Sequence, residues 1–160
     1  MSEDARFEDA AQHRPLRLVA RDSADLEVIS ALVQDAVIAA GDMAWQRGKR
    51  QFALLINRFR WEDQEAAARG NRPFERVRSI LLVRDVMGVA SQGFDRKDAD
   101  LVLSMLSLAF HPGEDGTGRV EITLAGDGGI ALEVEALDTT LYDVTRPYRA
   151  PSGKAPSHPD

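Results

Sequence analysis

The sequence predicts an α+β domain, built mainly from one antiparallel sheet of about seven or eight strands that is curled or forms a partly open barrel. Apolar and polar residues alternate with a period of two along most of the chain after residue 36. Turn-forming residues, among them glycine and aspartate, separate these alternating segments. One longer segment in the N-terminal half instead has apolar residues three and four positions apart, as in an amphipathic helix. A second, short helix is predicted near the C-terminus.

The length and composition are those of a single globular domain. The 160 residues are enough to bury a core, and a hydrophobic content of 44% with 29% charged residues is unlike that of a disordered chain. We expect the domain to span residues 15–146. Residues 1–14 are polar and residues 147–160 are rich in proline, so both ends are predicted to be flexible arms.

Composition also excludes several protein classes. The chain has no cysteine, which excludes disulfides, thiolate nucleophiles and cysteine-ligated metal centres. The N-terminus is acidic and polar, whereas a secretory signal has a basic start followed by an apolar stretch. No apolar run approaches the roughly 18 residues that a membrane helix requires. We therefore expect a cytoplasmic protein that does not interact with a membrane.

The first elements are a short strand and the long helix. Residues 16–20 alternate and predict the strand. Asp22 or Ser23 can then cap the helix, because both side chains accept hydrogen bonds from the free N–H groups of a first helical turn. The apolar positions of this helix are Leu26, Ile29, Leu32 or Val33, and Ala36.

A hairpin is expected next. Residues 36–45 are strand-like and bend at Gly41, and residues 46–50 supply a turn. Residues 51–61 form a long strand with Phe52, Leu54 and Ile56 on one side. The two strands are expected to pair.

The second half of the chain predicts further strands and a closing helix. Residues 63–74 lack an apolar face and are predicted to be an exposed loop that can hold a helical turn. The clearest hairpin follows later, with turn residues 126–129 that tolerate positive φ. Leu137, Leu141 and Val144 then recur at helical spacing and predict a short helix over residues 137–144. The strands expected in this half are residues 76–84, 86–92, 101–110, 120–124 and 130–134.

Residues with catalytic potential are few. His111 can pair with Glu114 or Asp115 as a general base or metal ligand, but the proline and glycine beside it indicate an ordinary turn. The acidic face of the last hairpin carries Glu121 and Glu133, and is more typical of a solvated strand than of a cation site. Neither a serine-nucleophile motif nor a phosphate-binding loop is present. The sequence therefore identifies no catalytic residue, and it predicts no metal site and no cofactor.

The best candidate for a binding site is the segment 56–63. Residues 47–84 hold ten basic and four acidic residues, although the whole chain has a net charge of −6. Arg58 and Arg60 share one side of the predicted strand, with Asn57, Phe59 and Trp61 on the other, and Arg76 and Arg78 repeat the spacing nearby. Guanidinium groups bind phosphate and carboxylate bidentately, so these residues predict an anion-binding face. The alternative is that the aromatic residues are core and the arginines pair with Glu62, Glu75 or the acidic hairpin. The predicted ligand-binding residues are Asn57, Arg58, Arg60, Trp61, Arg76 and Arg78.

The same segment carries a resemblance to a known family. The residues Phe-Ala-Leu-Leu-Ile-Asn-Arg-Phe-Arg-Trp-Glu at positions 52–62, with Gly-Asp-Met-Ala-Trp at positions 41–45, resemble a bacterial family of unknown function, numbered twenty-nine forty-eight. The similarity runs from about Leu16 to the end at residues 155–159. It implies a small bacterial cytosolic protein without an assigned activity.

Two functions remain open. The first is a non-enzymatic interaction or regulatory module with a protein partner, because the chain has a well-patterned fold without a convergent set of catalytic groups. The second is a module or enzyme that binds a small phosphate or carboxylate ligand on the arginine-rich face. Nucleic acid is an improbable partner because the sequence pI is about 5.1 and nucleic-acid-binding domains are typically basic. The oligomeric state is not predicted.

Overall fold

The protein is an open antiparallel sheet with one long helix packed against it. A computed structural model describes residues 14–70 and 74–149. Within them the sheet has eleven strands. The strands are β1 (Arg17–Ala20), β2 (Val37–Ala39), β3 (Met43–Gln46), β4 (Gln51–Phe59), β5 (Glu75–Val83), β6 (Val86–Gln92), β7 (Val102–Pro112), β8 (Gly118–Leu124), β9 (Gly128–Val134), β10 (Thr139–Asp143) and β11 (Tyr148–Arg149), and the helices are α1 (Ser23–Val33) and α2 (Gln64–Arg69).

The sheet consists of two halves joined by β2. Its order is β1-β10-β5-β4-β2-β7-β8-β9-β6, with β3 beside the start of β4 and β11 beside the start of β5. We call the strands β1, β10, β5 and β4 the first half-sheet, and β7, β8, β9 and β6 the second half-sheet. The antiparallel, unclosed sheet is confirmed, whereas the expected seven or eight strands are too few.

Strict alternation along the strands places the core on one side of the sheet. In β4 the side chains of Phe52, Leu54 and Ile56 are fully buried, and the residues between them are partly exposed. Helix α1 covers this inner face with Leu26, Ile29 and Val33, which lie in the same core cluster. The opposite side of the sheet is called the outer face below.

The helix start and the last hairpin are as the sequence predicts. The carboxylate of Asp22 accepts a hydrogen bond of 2.8 Å from the backbone N–H of Asp25, as an N-cap does. Strands β8 and β9 pair from Gly118 opposite Val134 to Leu124 opposite Gly128. Gly126 and Asp127 have φ values of 78° and 63°, so this turn needs residues that tolerate positive φ.

The predicted C-terminal helix is wrong, because residues 139–143 form β10. The helical spacing of Leu137, Leu141 and Val144 is coincidental, since Val144 is 46% exposed and contributes little to the core. Strand β10 lies between β1 and β5 and pairs with both. Two neighbouring strands satisfy its backbone groups, and the β-branched Thr139 and Thr140 suit an extended conformation.

The remaining expectations concern the loop and the arms. The loop expected at residues 63–74 contains α2, in agreement with the predicted helical turn. The predicted C-terminal arm begins at residue 147, yet Tyr148 and Arg149 form β11 and pair with Arg76 and Glu75. Residues 1–13 and 150–160, where we expect flexible arms, lie outside the described residues.

Candidate functional site

The sheet separates the predicted binding residues onto its two faces. Across β4 and β5, Asn57 lies opposite Arg78, Phe59 opposite Arg76, and Arg58 opposite Val77. Residues directly opposite each other share a face, so Asn57, Arg76 and Arg78 meet on the outer face. Arg58 projects to the inner face, with Ile56 and Leu54. The structure therefore does not bring the four arginines onto one surface.

Arg58 is the centre of a buried polar cluster, which comprises Arg58, Glu62, Ser79 and Asp143. Its side chain is 0% exposed. Its Nη1 and Nη2 donate to the two carboxylate oxygens of Glu62 at 2.8 and 2.7 Å, and Nη2 also donates to Asp143 at 3.0 Å. The Ser79 hydroxyl donates to Asp143 at 2.7 Å. Both acids belong to the same chain, so the guanidinium group of Arg58 is internally neutralised.

The charges of this cluster stabilise one another despite burial. Burial alone lowers the pKa of Arg58, but hydrogen bonds and charge from Glu62 and Asp143 outweigh it and raise the pKa above its usual value. Burial likewise raises the pKa of Glu62, and the hydrogen bonds and charge of Arg58 reverse the effect and leave that pKa below its usual value. Both side chains are therefore charged at neutral pH.

Arg60 and Trp61 fix the segment that follows β4. Nη1 of Arg60 lies 2.6 Å from Glu75 and 3.5 Å from Asp63, and the residue is 9% exposed. The indole N–H of Trp61 donates to the backbone oxygen of Gln34 at 2.9 Å. These contacts agree with the alternative that the sequence left open, namely internal pairing of the arginines. Ligand binding by Arg60 and Trp61 stays an untested prediction.

The outer face of the first half-sheet is an apolar surface bordered by arginines. One cross-strand row joins Val19, Thr140, Leu82 and Ala53, and the next joins Arg17, Tyr142, Ile80 and Leu55. Val19 is 41% exposed, while Leu55, Ile80 and Leu82 are half-buried. The arginines at its border are Arg17, Arg76, Arg78 and Arg84.

Three of these arginines have contacts and one does not. Arg17 lies over the ring of Tyr142 at 5.7 Å and Arg76 over that of Phe59 at 5.8 Å. Arg84 donates to the Thr140 hydroxyl at 3.0 Å and lies 3.6 Å from the carboxylate of Asp138. Among the described residues, the exposed guanidinium group of Arg78 has no hydrogen-bond or ion-pair partner. Arg78 is thus available for a ligand, as is Arg17, whose one contact among the described residues is with the ring of Tyr142.

Asn57 and Arg78 line a shallow depression at the edge of the outer face. Its volume is about 190 Å³, and its other lining residues include Val37, Leu55 and Val102, with Asp42 at the rim. The amide nitrogen of Asn57 donates to the Tyr148 hydroxyl. The amide oxygen of Asn57 is buried and has no hydrogen-bond partner among the described residues. A buried acceptor of this kind is normally satisfied, so this oxygen is an exception among the buried polar atoms of the fold.

His111 lies in β7, on the outer face of the second half-sheet. It is opposite Arg119, and its Nε2 is 3.1 Å from the carboxylate of Glu121, with both side chains about half exposed. The sequence predicted a contact of His111 with Glu114 or Asp115, which are its neighbours along the chain. Local sequence does not show the register of β7 with β8, which brings Glu121 next to His111 instead. Across the described ranges, no group of three or more histidine, aspartate and glutamate side chains is placed to hold a metal ion.

Comparisons with known proteins identify the family. A family model described as "Protein of unknown function (DUF2948)" matches residues 16–158. The chain belongs to this family. No curated protein and no solved structure matches the DUF2948 chain significantly. Among its described helices, none is long and apolar enough to cross a membrane.

Proposed function

We propose that this DUF2948 protein is a non-enzymatic interaction module that binds an acidic, partly apolar segment of a partner protein on the outer face of its first half-sheet. The observation that carries the proposal is the position of the unpaired Arg78 beside a half-exposed apolar surface. Apolar surface supplies affinity when it is covered, and charge at its border steers and orients the partner.

The charges on this face favour an acidic partner. Arg17, Arg76 and Arg78 border the surface without an acidic partner among the described residues, whereas Arg84 lies 3.6 Å from the carboxylate of Asp138. Asp42 is the acid in the lining of the depression. Arg58 and Arg60 do not contribute, because their positive charges are balanced by the acids that they contact.

The apolar surface beside Arg78 favours a peptide over a simple anion. A phosphate or a small carboxylate uses the guanidinium group alone. A peptide can place an acidic side chain on Arg78 and also cover the partly exposed side chains of Leu55, Ile80 and Leu82.

Site-specific photo-crosslinking in cells of the source bacterium tests the proposal. A photoreactive phenylalanine analogue replaces Leu82 on the outer face of the first half-sheet, and the control places it at Val28 on the exposed side of α1. We expect crosslinks from position 82 to an acidic protein segment, identified by mass spectrometry. Arg78→Glu should abolish them, whereas Lys97→Glu, the same charge change in the exposed loop after β6, should not.

Equal crosslinking from both positions, or crosslinks that survive Arg78→Glu, would contradict the proposal. So would a crosslinked segment without acidic residues. The stability of both charge variants must match that of the wild type, which thermal unfolding checks. We expect no loss of stability for Arg78→Glu, because the side chain makes no contact that the change would remove.

A small anionic ligand at Asn57 and Arg78 is the second candidate. The depression is large enough for a phosphate or a small carboxylate, and the free guanidinium group is a suitable ligand for either. A thermal-shift series with phosphate, citrate and nucleotides tests it, with Arg78→Ala as the comparison. Stabilisation of the wild type that disappears in Arg78→Ala would favour this candidate, and equal stabilisation of both would exclude it.

A further inference from the structure

Strand β6 is an edge of the sheet whose protection is confined to an irregularity at its start. It pairs with β9 on one side, and the described residues place no strand on its other side. Natural sheets commonly protect such edges with charged residues, with proline or by keeping the strand short. Strand β1, at the other edge, is four residues long and contains Arg17. Strand β6 has seven residues, Val-Met-Gly-Val-Ala-Ser-Gln, none charged and none proline.

The register identifies the backbone groups that point away from the sheet. The backbone N–H of Glu135 donates to the backbone oxygen of Asp85. In an antiparallel pair, every second residue of a strand points its N–H and C=O groups at the same neighbouring strand. Residues 133, 131 and 129 of β9 therefore exchange hydrogen bonds with residues 88, 90 and 92 of β6, which lie opposite them. The N–H and C=O groups of Val89 and Ser91 then face the open edge. The irregularity between Val86 and Gly88 confines the regular edge to residues 88–92.

A groove runs beside this edge on the outer face. Its volume is about 240 Å³, and Ala90, Gly129 and Ala131 form its floor, with Gln92, Arg119 and Glu121 at its borders. The small floor residues allow a long side chain to lie flat across the sheet. Gly88, next to the groove on β6, has open space where a Cβ would be.

We propose that the β6 edge binds an extended peptide segment by strand addition, and that a long basic side chain of the segment occupies the groove near Glu121. Backbone hydrogen bonds to Val89 and Ser91 supply affinity, and the groove supplies selectivity. Glu121 lies 3.1 Å from Nε2 of His111 and 3.7 Å from Arg119. The two acids of these rows, Glu121 and Glu133, still exceed Arg119 by one negative charge, so the groove favours a cation. This surface and its basic partner are distinct from the arginine-bordered face of the first half-sheet.

A second copy of the chain is a poorer occupant of the same edge. Antiparallel pairing of two β6 strands would bring Gly88, Ala90 and Gln92 of one copy beside the same residues of the other. Glycine and alanine cannot extend over the floor of the groove, and the neutral amide of Gln92 brings no cation to Glu121. A foreign strand with lysine or arginine at one outward position fills it and meets Glu121.

A random peptide library of fixed length, displayed on phage and selected against the full chain, tests this proposal. The enriched peptides are synthesised, and their affinity is measured for the wild type and for variants. Ser91→Pro removes the outward N–H without touching the bonds to β9, and Ser91→Ala is the matched control that keeps it. Glu121→Gln tests the charge at the groove. In the wild type, hydrogen exchange of the Val89 and Ser91 amides is followed with and without peptide.

We expect the selection to enrich extended sequences with a basic residue. Ser91→Pro should weaken binding by about tenfold or more, as the loss of one to two interface hydrogen bonds does, while Ser91→Ala stays within about twofold. Glu121→Gln should weaken binding of the basic peptides several-fold, and bound peptide should slow exchange at both amides.

Three results would overturn the proposal. One is a selection that enriches no peptide, and another is peptide binding that leaves exchange at Val89 and Ser91 unchanged. The third is a wild-type chain that is dimeric by light scattering and becomes monomeric with Ser91→Pro, since a second copy would then occupy the edge. The exchange measurement uses the wild type alone, so it decides the question even if Ser91→Pro does not fold.

Discussion

Replacing Arg58 with alanine removes the charge at the centre of the buried cluster and leaves its acids in place. Asp143 is 7% exposed, so its carboxylate cannot recover water in place of the guanidinium group. It would retain the Ser79 hydroxyl and the backbone N–H of Leu16, which donates at 3.0 Å, but no positive charge. Glu62 is 30% exposed and can turn towards solvent.

The magnitude follows mainly from Asp143. Removal of one partner from a buried ion pair costs about 3–5 kcal/mol, because the remaining charge is uncompensated. The stem of Arg58 is also packed in the core, and its loss adds to this figure. A natural domain has a total stability of roughly 5–15 kcal/mol, so Arg58→Ala is expected to remove a large part of it. For a domain of this size the melting temperature should fall by about 10–15 °C.

Urea denaturation followed by circular dichroism measures the loss, with two comparisons. Arg58→Lys keeps the charge but cannot bind Glu62 bidentately and Asp143 at once, so it should have an intermediate stability. A double-mutant cycle of Arg58→Met and Asp143→Asn should give a coupling energy of about 1–3 kcal/mol. A loss below about 1 kcal/mol for Arg58→Ala would refute the reasoning, since exposed ion pairs contribute no more than that.

Three further predictions concern other parts of the fold. Glu62 has a pKa below its usual value of 4.5 in the folded state, so its contribution to stability is present above that pH and is lost as the pH falls through the folded-state pKa. The difference in unfolding free energy between the wild type and Glu62→Gln should therefore shrink towards zero as the pH is lowered. A difference that does not depend on pH would contradict this. Asp22→Ala removes the N-cap of α1 and should cost about 1 kcal/mol in denaturant unfolding, whereas Asp22→Ser should restore most of it. Gly118→Ala would place a Cβ 2.6 Å from the backbone oxygen of His111 and from the ring of Phe110. We therefore expect the free energy of unfolding to fall by about 2–3 kcal/mol. A stability equal to that of the wild type would show that β7 and β8 can separate locally.

Local signals predicted most of the elements. Asp22 with Asp25, and the spacing of Leu26, Ile29 and Val33, identify helix α1, because capping and amphipathicity act within a few residues. Alternation identifies β4, β8 and β9 for the same reason. The spacing of Leu137, Leu141 and Val144 led to the wrong prediction of a helix. Three apolar residues at this spacing also fit an extended segment in which two of them are buried and Val144 is exposed. Pairing with β1 and β5 makes residues 139–143 a strand, and those two strands are more than 50 residues away along the chain.

The sequence predicted which residues belong to the candidate site but not how they are arranged. The sequence identified Asn57, Arg58, Arg60, Trp61, Arg76 and Arg78 as the residues of interest, and period-two geometry correctly separated Asn57 from Arg58. It could not show which arginines were already neutralised, because Asp143 lies 85 positions from Arg58 and meets it through β5 and β10. The unpaired Arg78 and the orphaned oxygen of Asn57 are properties of that cross-strand arrangement.

The sequence by itself determined the class of this protein: a cysteine-free antiparallel domain of the DUF2948 family with a capped N-terminal-half helix, because these features depend on residue identity and short spacings. The tertiary structure decided which face each arginine occupies, which strand ends the sheet and which polar groups have no partner. Those properties depend on register between distant strands, and a shift of one residue moves every side chain to the opposite face. Strand pairing therefore leaves Arg58 buried among acids and Arg78 exposed, although both are arginines on neighbouring strands.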